Sequence, residues 1–161
     1  MRPIYVKDVC DPDRALSILV SADEPLEDVL RCFAQDSSLR SIFVTGEAGQ
    51  LTGVITRTDL LNLARLRLGT ALRDLPPEPD GIIRLAQLLR AGTAKDAVHL
   101  HSNKAAVRPD DPVDRALKLM LEVDIVAIPV VDDDNQIIGD LTLSRVLRYL
   151  FDLEAALADP S

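Results

Sequence analysis

The chain has 161 residues and a formal net charge of −8, from 18 Lys and Arg against 26 Asp and Glu. Because phosphate backbones attract basic surfaces, this charge disfavours a nucleic-acid-binding protein. Trp is absent and aromatic residues make up 3%, so the usual stacking surface for single-stranded nucleic acid is missing as well. The sequence has no apolar run of membrane-spanning length and no secretory signal pattern, and its two cysteines fit a reducing compartment. We therefore expect a cytoplasmic protein that binds neither nucleic acid nor membranes.

The first half of the chain predicts five elements in the order strand, helix, strand, strand, helix. Leu26, Val29 and Phe33 recur at helical spacing, directly after a proline that suits the start of a helix. Apolar segments of strand length lie on both sides of a turn at Gly46. The predicted strands and the last helix are Ser17–Val20, Ser41–Thr45, Leu51–Thr56 and Thr58–Leu68.

The middle of the chain, residues 70–92, predicts a linker that contains an inserted helix. Prolines at positions 76, 77 and 79 exclude a helix at that point. From Ile82 to Ala91 the apolar residues recur at helical spacing, and Gly92 ends the pattern. The apolar stripe of this helix must be buried, either on the core of the chain or on a second chain.

The second half of the chain repeats the first. Residues 39–60 and 125–146 align without a gap at an offset of 86 residues, which places Gly53 on Gly139. The second half therefore predicts the same elements, with strands at Ala127–Val131 and Ile137–Leu143 and a last helix at Ser144–Leu157. Since about 70 residues are marginal for an independent core, we expect residues 1–69 and 93–161 to be two repeats that fold together. The cleft between two such halves is the first place to look for a ligand.

Four short motifs occur in the same order in both halves, and together they resemble a tandem pair of CBS (cystathionine-β-synthase-type) domains, also called a Bateman module. They are represented by Gly53–Leu60, Ile128–Asp132, Asp110–Pro112 and the lead-ins Lys7–Val9 and Lys95–Ala97. The resemblance implies an α+β fold of two β-α-β-β-α repeats packed as a pseudo-twofold pair. It also implies a non-catalytic module that binds AMP, ADP, ATP or S-adenosylmethionine between the repeats, dimerises and regulates an enzyme, channel or transporter. No cofactor is required in such a module, and the adenosine ligand acts as its effector.

The first candidate site lies where the strand Leu51–Thr56 runs into the following helix. Thr56 ends the strand and Asp59 lies in the first helical turn, so both side chains can face one cleft. A carboxylate can accept both hydroxyls of a ribose, and a hydroxyl with free helix N–H groups can bind phosphate. Arg57 and Arg40 could add positive charge. The alternative is structural, with Asp59 only complementing the helix N-terminus and Thr56 only a β-branched strand residue. The resemblance implies that adenine contacts the segments Val20, Ser21 and Ala22 and Ser41 and Ile42. With these, the predicted site consists of Val20, Ser21, Ala22, Arg40, Ser41, Ile42, Thr56, Arg57, Thr58 and Asp59.

The second half departs from this motif, because Arg145 stands where the first half has Asp59. Arginine has only donors and cannot accept hydrogen bonds from a ribose. It could hold a phosphate or another anion, or it could pair with Asp140 or Asp59. We therefore expect a second, weaker site. By motif position this site consists of Val107, Arg108, Pro109, Ala127, Ile128, Pro129, Thr142 and Arg145.

Other residue patterns predict no metal site. His99 and His101 alternate as on one strand face and could ligate a metal with a third partner, but two such histidines are more often ordinary surface residues. Residues 132–135 are rich in oxygen ligands, yet they fit a solvated turn better than a calcium loop. A Ser–His–Asp order, a P-loop and a metalloprotease helix are all missing from the sequence.

Three functions are consistent with these patterns. The first is a homodimeric adenine-nucleotide sensor, in which the ligand shifts a conformational equilibrium that an unidentified partner protein reads. The second is a structural dimerisation or protein-interaction module without a physiological ligand. Arg145, and Phe43 in place of the proline of the family motif, favour this second interpretation. The third is an enzyme acting on a nucleotide, for which the sequence offers no convincing base.

Overall fold

A computed structural model describes residues 2–10, 17–69, 73–74 and 76–159 of the chain. Within these ranges the helices are α1 (Val6–Val9), α2 (Leu26–Gln35), α3 (Arg57–Leu68), α4 (Asp80–Arg90), α5 (Val113–Val123) and α6 (Leu143–Ala158). The strands are β1 (Ile18–Ser21), β2 (Ser41–Thr45), β3 (Leu51–Thr56), β4 (Ala127–Val131) and β5 (Ile137–Thr142). Short 3-10 turns lie at Ala94–Ala97 and Ser102–Lys104. None of the described helices is both long and apolar enough to cross a membrane.

The first half forms a three-stranded sheet in which β2 lies between β1 and β3. β1 runs parallel to β2, whereas β2 and β3 form an antiparallel hairpin that places Ser41 opposite Thr56. Helix α2 buries Leu26, Val29 and Phe33 against this sheet, as their helical spacing predicted. The predicted strands β2 and β3 are confirmed at their exact residue limits, and β1 begins and ends one residue later than predicted.

The second half differs from the prediction because its first strand is reduced to a single bridge. Val107 pairs in parallel with Val130: its N–H donates to the Pro129 carbonyl at 3.1 Å, and its carbonyl accepts from Val131 at 2.8 Å. The next ladder bonds on either side would need N–H groups from Pro109 and Pro129, which prolines lack. At the position equivalent to Pro109, the first half has Ala22, whose N–H donates to Thr45 at 2.9 Å.

The two lead-in segments are exchanged between the halves. The lead-in of the first half bonds to the second, through Val6 N–H to Asp111 (2.9 Å) and Lys7 N–H to Pro109 (2.9 Å). The lead-in of the second half bonds to the first, with the Ala94 N–H donating to Glu24 at 2.8 Å. The Val6 side chain completes the core of the second half, and Ala94 and Ala97 complete that of the first. Each half therefore depends on the other for its core, which explains why they fold together.

The halves meet around a pseudo-twofold axis. Gln50 and Gln136, which are equivalent in the duplication, form an antiparallel bridge across it. Beside them lies a small shared core that consists of Phe43, Leu51, Val54, Ala106 and Ile137. Burial of these side chains holds the two hairpins together and creates clefts on either side of the axis.

A lead-in passes close to each of the two aligned glycines. A Cβ atom on Gly53 would lie 2.2 Å from Val98 Cγ1, and one on Gly139 would lie 3.2 Å from Cys10 Sγ. Atoms of a side chain cannot approach as closely as 2.2 Å, so Gly53 permits the packing of the second lead-in on β3.

Helix α4 packs on the first half, against α2 and α3. The Arg67 guanidinium of α3 donates to the carbonyls of Leu88 (3.0 Å) and Ala91 at the end of α4. Ile82 and Ile83 at its start remain half exposed, so the core of the chain covers only part of the apolar stripe.

Candidate functional site

A cleft of about 270 Å³ lies between the two halves at the N-terminal end of α3. Its walls come from equivalent segments of the duplication, because Leu39 and Arg40 correspond to Ile125 and Val126. The cleft is lined by Leu39, Arg40, Thr56, Arg57, Thr58, Asp124, Ile125 and Val126. The structure thus brings together four of the residues predicted for the first site, and adds three from the second half.

Thr56 and Asp59 form a capping box that begins α3. The Thr56 N–H and hydroxyl both donate to Asp59 Oδ2, each at 2.7 Å, and the Asp59 N–H donates back to Thr56 Oγ1 at 3.3 Å. Asp59 is only 8% exposed and lines a neighbouring cavity of about 260 Å³. Its carboxylate is therefore held by the first turn of its own helix and lies beside the cleft lined by Thr56, Arg57 and Thr58.

His99 contacts the other oxygen of Asp59. Its Nδ1 lies 2.5 Å from Asp59 Oδ1, and its Nε2 lies 2.5 Å from the carbonyl oxygen of Val123 at the end of α5. His99 and His101 do not share a strand face, since the segment turns and His101 adopts a left-handed φ of 63°. In the part of the chain that the structure describes, no group of three or more His, Cys, Asp or Glu could hold a metal. His99 thus links the first half to a helix of the second.

The two arginines near the cleft have different surroundings. The Arg57 guanidinium donates to the carbonyls of Phe33 (3.0 Å) and Asp36 (2.7 Å) and lies 5.1 Å from the centre of the Phe33 ring. Arg57 therefore caps the C-terminus of α2. Arg40 is exposed and makes no ion pair with any residue of the described ranges. Arg40 is the cation of this cleft that is available to a ligand.

The carboxyl of Asp36 lies at the same edge of the molecule. The Ser38 hydroxyl and N–H donate to it at 2.6 and 2.9 Å, and these hydrogen bonds lower the pKa of the Asp36 carboxyl. The bonds hold the short loop that leads from α2 to Leu39 and Arg40.

The residues predicted to contact adenine lie outside the lining of the cleft. Val20 and Ser21 end β1, and Ala22 follows them. Ile42 is fully buried in the core of the first half. Ser41, opposite Thr56 in the hairpin, is fully buried, and its hydroxyl has no hydrogen-bond partner among the described residues. Ser41 is thus an unsatisfied polar group one residue from Arg40.

At the second predicted site, Arg145 pairs with Asp140. Its Nη1 donates to Asp140 Oδ1 and to the Asp140 carbonyl, both at 3.0 Å. Asp140 is 1% exposed and also accepts a hydrogen bond from the Ser17 hydroxyl at 3.0 Å. Thr142 caps α6 by accepting from the Arg145 N–H at 3.2 Å. The structure therefore shows the pairing of Arg145 with Asp140 that the sequence left as an alternative.

The remaining residues of the second site do not converge on one cavity. Ala127, Ile128 and Pro129 are buried in β4. Arg108 pairs with Asp133 at 3.3 Å on the surface. Pro109 lines a cavity of about 180 Å³ with Lys7, Cys10, Val130 and Ile138. Lys7 bonds to Asp110 at 2.6 Å, and this hydrogen bond raises the pKa of Lys7.

Two features of the first site are missing from the sequence-based set. Ile125 and Val126 were detectable, because they are the offset partners of Leu39 and Arg40. The contact of His99 with Asp59 follows from the exchange of the lead-ins, which the sequence pattern does not reveal.

Residues 6–65 and 95–152 match the family described as CBS domain, and the chain belongs to this family. A CBS domain-containing protein from Thermotoga maritima is 24% identical, with a TM-score of 0.70 over 94% of this chain and 97% of that protein. CBSX2 of Arabidopsis thaliana, solved in complex with AMP, is 23% identical, with a TM-score of 0.66 over 93% and 98%. The CBS domain pair of the protein MJ0100, solved in complex with 5′-methylthioadenosine and S-adenosyl-L-methionine, is 20% identical, with a TM-score of 0.62 over 94% and 98%. The predicted tandem CBS pair and its α+β fold are thus confirmed.

Proposed function

We propose that this chain is a non-catalytic regulatory module that binds an adenosine-containing ligand in the cleft of about 270 Å³ between its halves. The observation that carries the proposal is the meeting of the α3 N-terminus with Arg40 and with the segment 124–126 of the other half. The fold neighbours in complex with AMP, and with 5′-methylthioadenosine and S-adenosyl-L-methionine, support the ligand class. AMP, ADP, ATP and S-adenosylmethionine all contain the required adenosine.

The residues of the cleft suit a phosphorylated nucleoside. The first N–H groups of α3 have no partners within the helix, and the positive end of its dipole favours an anion. Thr58 and Arg40 add a hydroxyl and a guanidinium at the same place. The proposed acceptor for the ribose hydroxyls is the carboxylate of Asp59, which follows Thr56 by three residues.

The proposed mechanism of regulation is a population shift. A ligand in this cleft contacts both halves at once, so it stabilises the arrangement of the pair in which it fits best. A separate partner protein would read that arrangement. We also propose a homodimer in the cytoplasm, because α6 presents exposed apolar residues at helical spacing and the sequence, with only two cysteines, offers no disulfide framework. The exposed residues are Leu147, Leu150, Phe151 and Leu157.

Isothermal calorimetry with AMP, ADP, ATP and S-adenosylmethionine tests the ligand. We expect saturable binding of at least one of them, weakened by Arg40→Ala if the ligand carries phosphate. Arg31→Ala is the matched control, because it removes an exposed arginine that pairs with Glu27 outside the cleft. If none of the four ligands binds across a wide concentration range, the proposal is wrong.

A second candidate function is a dimerisation module without a physiological ligand. It is favoured by the pairing of Arg145 with Asp140 and by the use of Arg57 as a helix cap, since neither arginine is then available to a ligand. A stable dimer whose melting temperature no adenosine compound changes would select this function.

A further inference from the structure

The His99 imidazole lies between two hydrogen-bond acceptors that belong to different halves of the molecule. Nδ1 faces Asp59 Oδ1, and Nε2 faces the Val123 carbonyl oxygen, both at 2.5 Å. The side chain is 16% exposed, so water does not replace these partners freely. Both ring nitrogens are thus committed within the protein.

These partners fix the number of protons that the group must hold. A carbonyl oxygen can only accept, so Nε2 must carry a hydrogen. Nδ1 then either carries a second hydrogen and donates to the Asp59 carboxylate, or is bare and accepts from a protonated Asp59. In both arrangements one proton lies between Nδ1 and Oδ1, and the pair has no net charge.

The other charges around His99 favour this proton. Asp96 lines the same cavity as Asp59 and His99, and no basic side chain lines it. The C-terminal carbonyls of α5 and the following Asp124 lie at the Nε2 side, where a helix end favours a cation. Apart from His99 itself, the titratable side chains that line this cavity are therefore the two carboxylates, Asp59 of α3 and Asp96 of the second lead-in.

We propose that His99 and Asp59 share one proton in the free protein, and that a ligand with a 2′,3′-diol must displace His99 from Asp59. The second clause rests on the proposed function. A carboxylate has about four acceptor positions. Three are occupied, by the Thr56 N–H, the Thr56 hydroxyl and His99. A diol brings two donors, so one existing donor must leave. Both Thr56 donors belong to the turn that begins α3, which makes His99 the displaceable partner.

Displacement has a proton balance that can be measured. The diol gives two O–H bonds to the Asp59 carboxylate, and the freed imidazolium loses its Nδ1 proton to the buffer. Binding would therefore release up to one proton per chain, the proton that Nδ1 shares with Asp59 in the free protein. The hydrogen bond from His99 Nε2 to the Val123 carbonyl would weaken at the same time, so ligand binding would also affect the end of α5. His99 is therefore a positioning residue for the ligand site.

Two substitutions separate the two bonds of His99. His99→Gln places an amide N–H near the position of Nε2, which retains the bond to Val123 and frees Asp59. His99→Asn places its N–H near the position of Nδ1, which retains a neutral donor for Asp59 and frees Val123. Neither amide side chain can lose a proton. The first variant should bind AMP about tenfold more tightly than the natural protein, since no donor has to be displaced from Asp59.

Nuclear magnetic resonance of the imidazole nitrogens tests the shared proton without any ligand. At about pH 7.5 the free protein should show His99 with a hydrogen on Nε2 and with Nδ1 engaged in a proton shared with the Asp59 carboxylate. A His99 with a bare Nδ1 and no proton between it and Asp59 would overturn the proposal.

Calorimetry with AMP in phosphate and in Tris buffer tests the displacement. In the natural protein the observed enthalpies should differ between the two buffers, because up to one proton is released, and in His99→Gln they should agree. 2′-Deoxy-AMP has one ribose hydroxyl, which the free acceptor position can take, so it should release almost no proton. Binding of AMP without proton release would refute the displacement. If neither AMP nor another adenosine compound binds, the proposed function and the displacement both fail, and the resonance measurement alone decides the shared proton.

Discussion

Substitution of Gly53 by Ala should destabilise the fold far more than the same change at Gly139. The new Cβ on Gly53 would lie 2.2 Å from Val98 Cγ1 and 3.1 Å from Val98 Cγ2. Favourable carbon contacts lie at about 3.5–4.0 Å, so the new Cβ would be at least about 1.3 Å too close to Val98 Cγ1. Val98 is β-branched and stiff at χ1, which prevents its methyl groups from moving aside by rotation. The second lead-in must therefore move away from β3.

The displacement of this lead-in has a further cost. The Ser102 hydroxyl accepts from the Val54 N–H at 2.9 Å and lies 3.3 Å from the new Cβ. Overpacking in a buried site costs about 1–3 kcal/mol, and the loss of a buried hydrogen bond adds about 1 kcal/mol. We expect Gly53→Ala to lower the free energy of unfolding by about 3 kcal/mol, or the melting temperature by roughly 6–12 °C.

Gly139→Ala is the matched control. Its Cβ would lie 3.2 Å from Cys10 Sγ, which has to move by only a few tenths of an ångström. The loss in free energy of unfolding should stay below about 1 kcal/mol. Ala lowers the conformational entropy of the unfolded chain, and this stabilising effect offsets part of the loss. Both variants are compared by urea denaturation, and Val98→Ala in the Gly53→Ala background should recover about 2 kcal/mol. Equal stability of the two glycine variants would refute the close approach of the second lead-in to β3.

Three other substitutions test the roles assigned to charged residues. Asp59→Ala should weaken AMP binding in calorimetry by about 1.5–3 kcal/mol, and an unchanged affinity would place the ligand elsewhere. Arg40→Ala should reduce the affinity for AMP but not for adenosine, whereas Arg57→Ala should mainly lower the free energy of unfolding, by about 1–2 kcal/mol; the reverse pattern would exchange their roles. Arg145→Ala should lower the free energy of unfolding by about 3 kcal/mol because it removes the guanidinium that pairs with buried Asp140, and a stability loss below about 1 kcal/mol would show that this pair is not structural.

The elements set by local chemistry were predictable from the sequence. The hairpin strands β2 and β3 are apolar segments on both sides of a clear turn at Gly46, and their predicted limits match the structure. The first strand of the second half was predicted by analogy with the first half, and the analogy failed because prolines 109 and 129 remove the N–H groups that a ladder requires. Both prolines are present in the sequence, so the loss of this strand was predictable from it.

The contacts that depend on chain exchange were not predictable. The sequence places Lys95–Ala97 in the second repeat, and nothing local indicates that this segment completes the core of the first. The position of His99 against Asp59 follows from that exchange. The capping box of Thr56 and Asp59 was partly predictable, because the structural alternative for Asp59 already placed its carboxylate at the N-terminus of this helix. Thr56 was assigned to the first site from its motif and Arg40 from its charge, whereas the opposite wall at 124–126 required the symmetry of the pair.

The most direct test of the proposed ligand site is a titration of isotope-labelled protein with AMP, followed by amide resonances. Binding in the cleft should shift the amides of Thr56–Asp59 together with those of residues 124–126, since these segments face each other across it. Shifts confined to one half, shifts at unrelated positions, or no shift with AMP, ATP or S-adenosylmethionine would contradict the account.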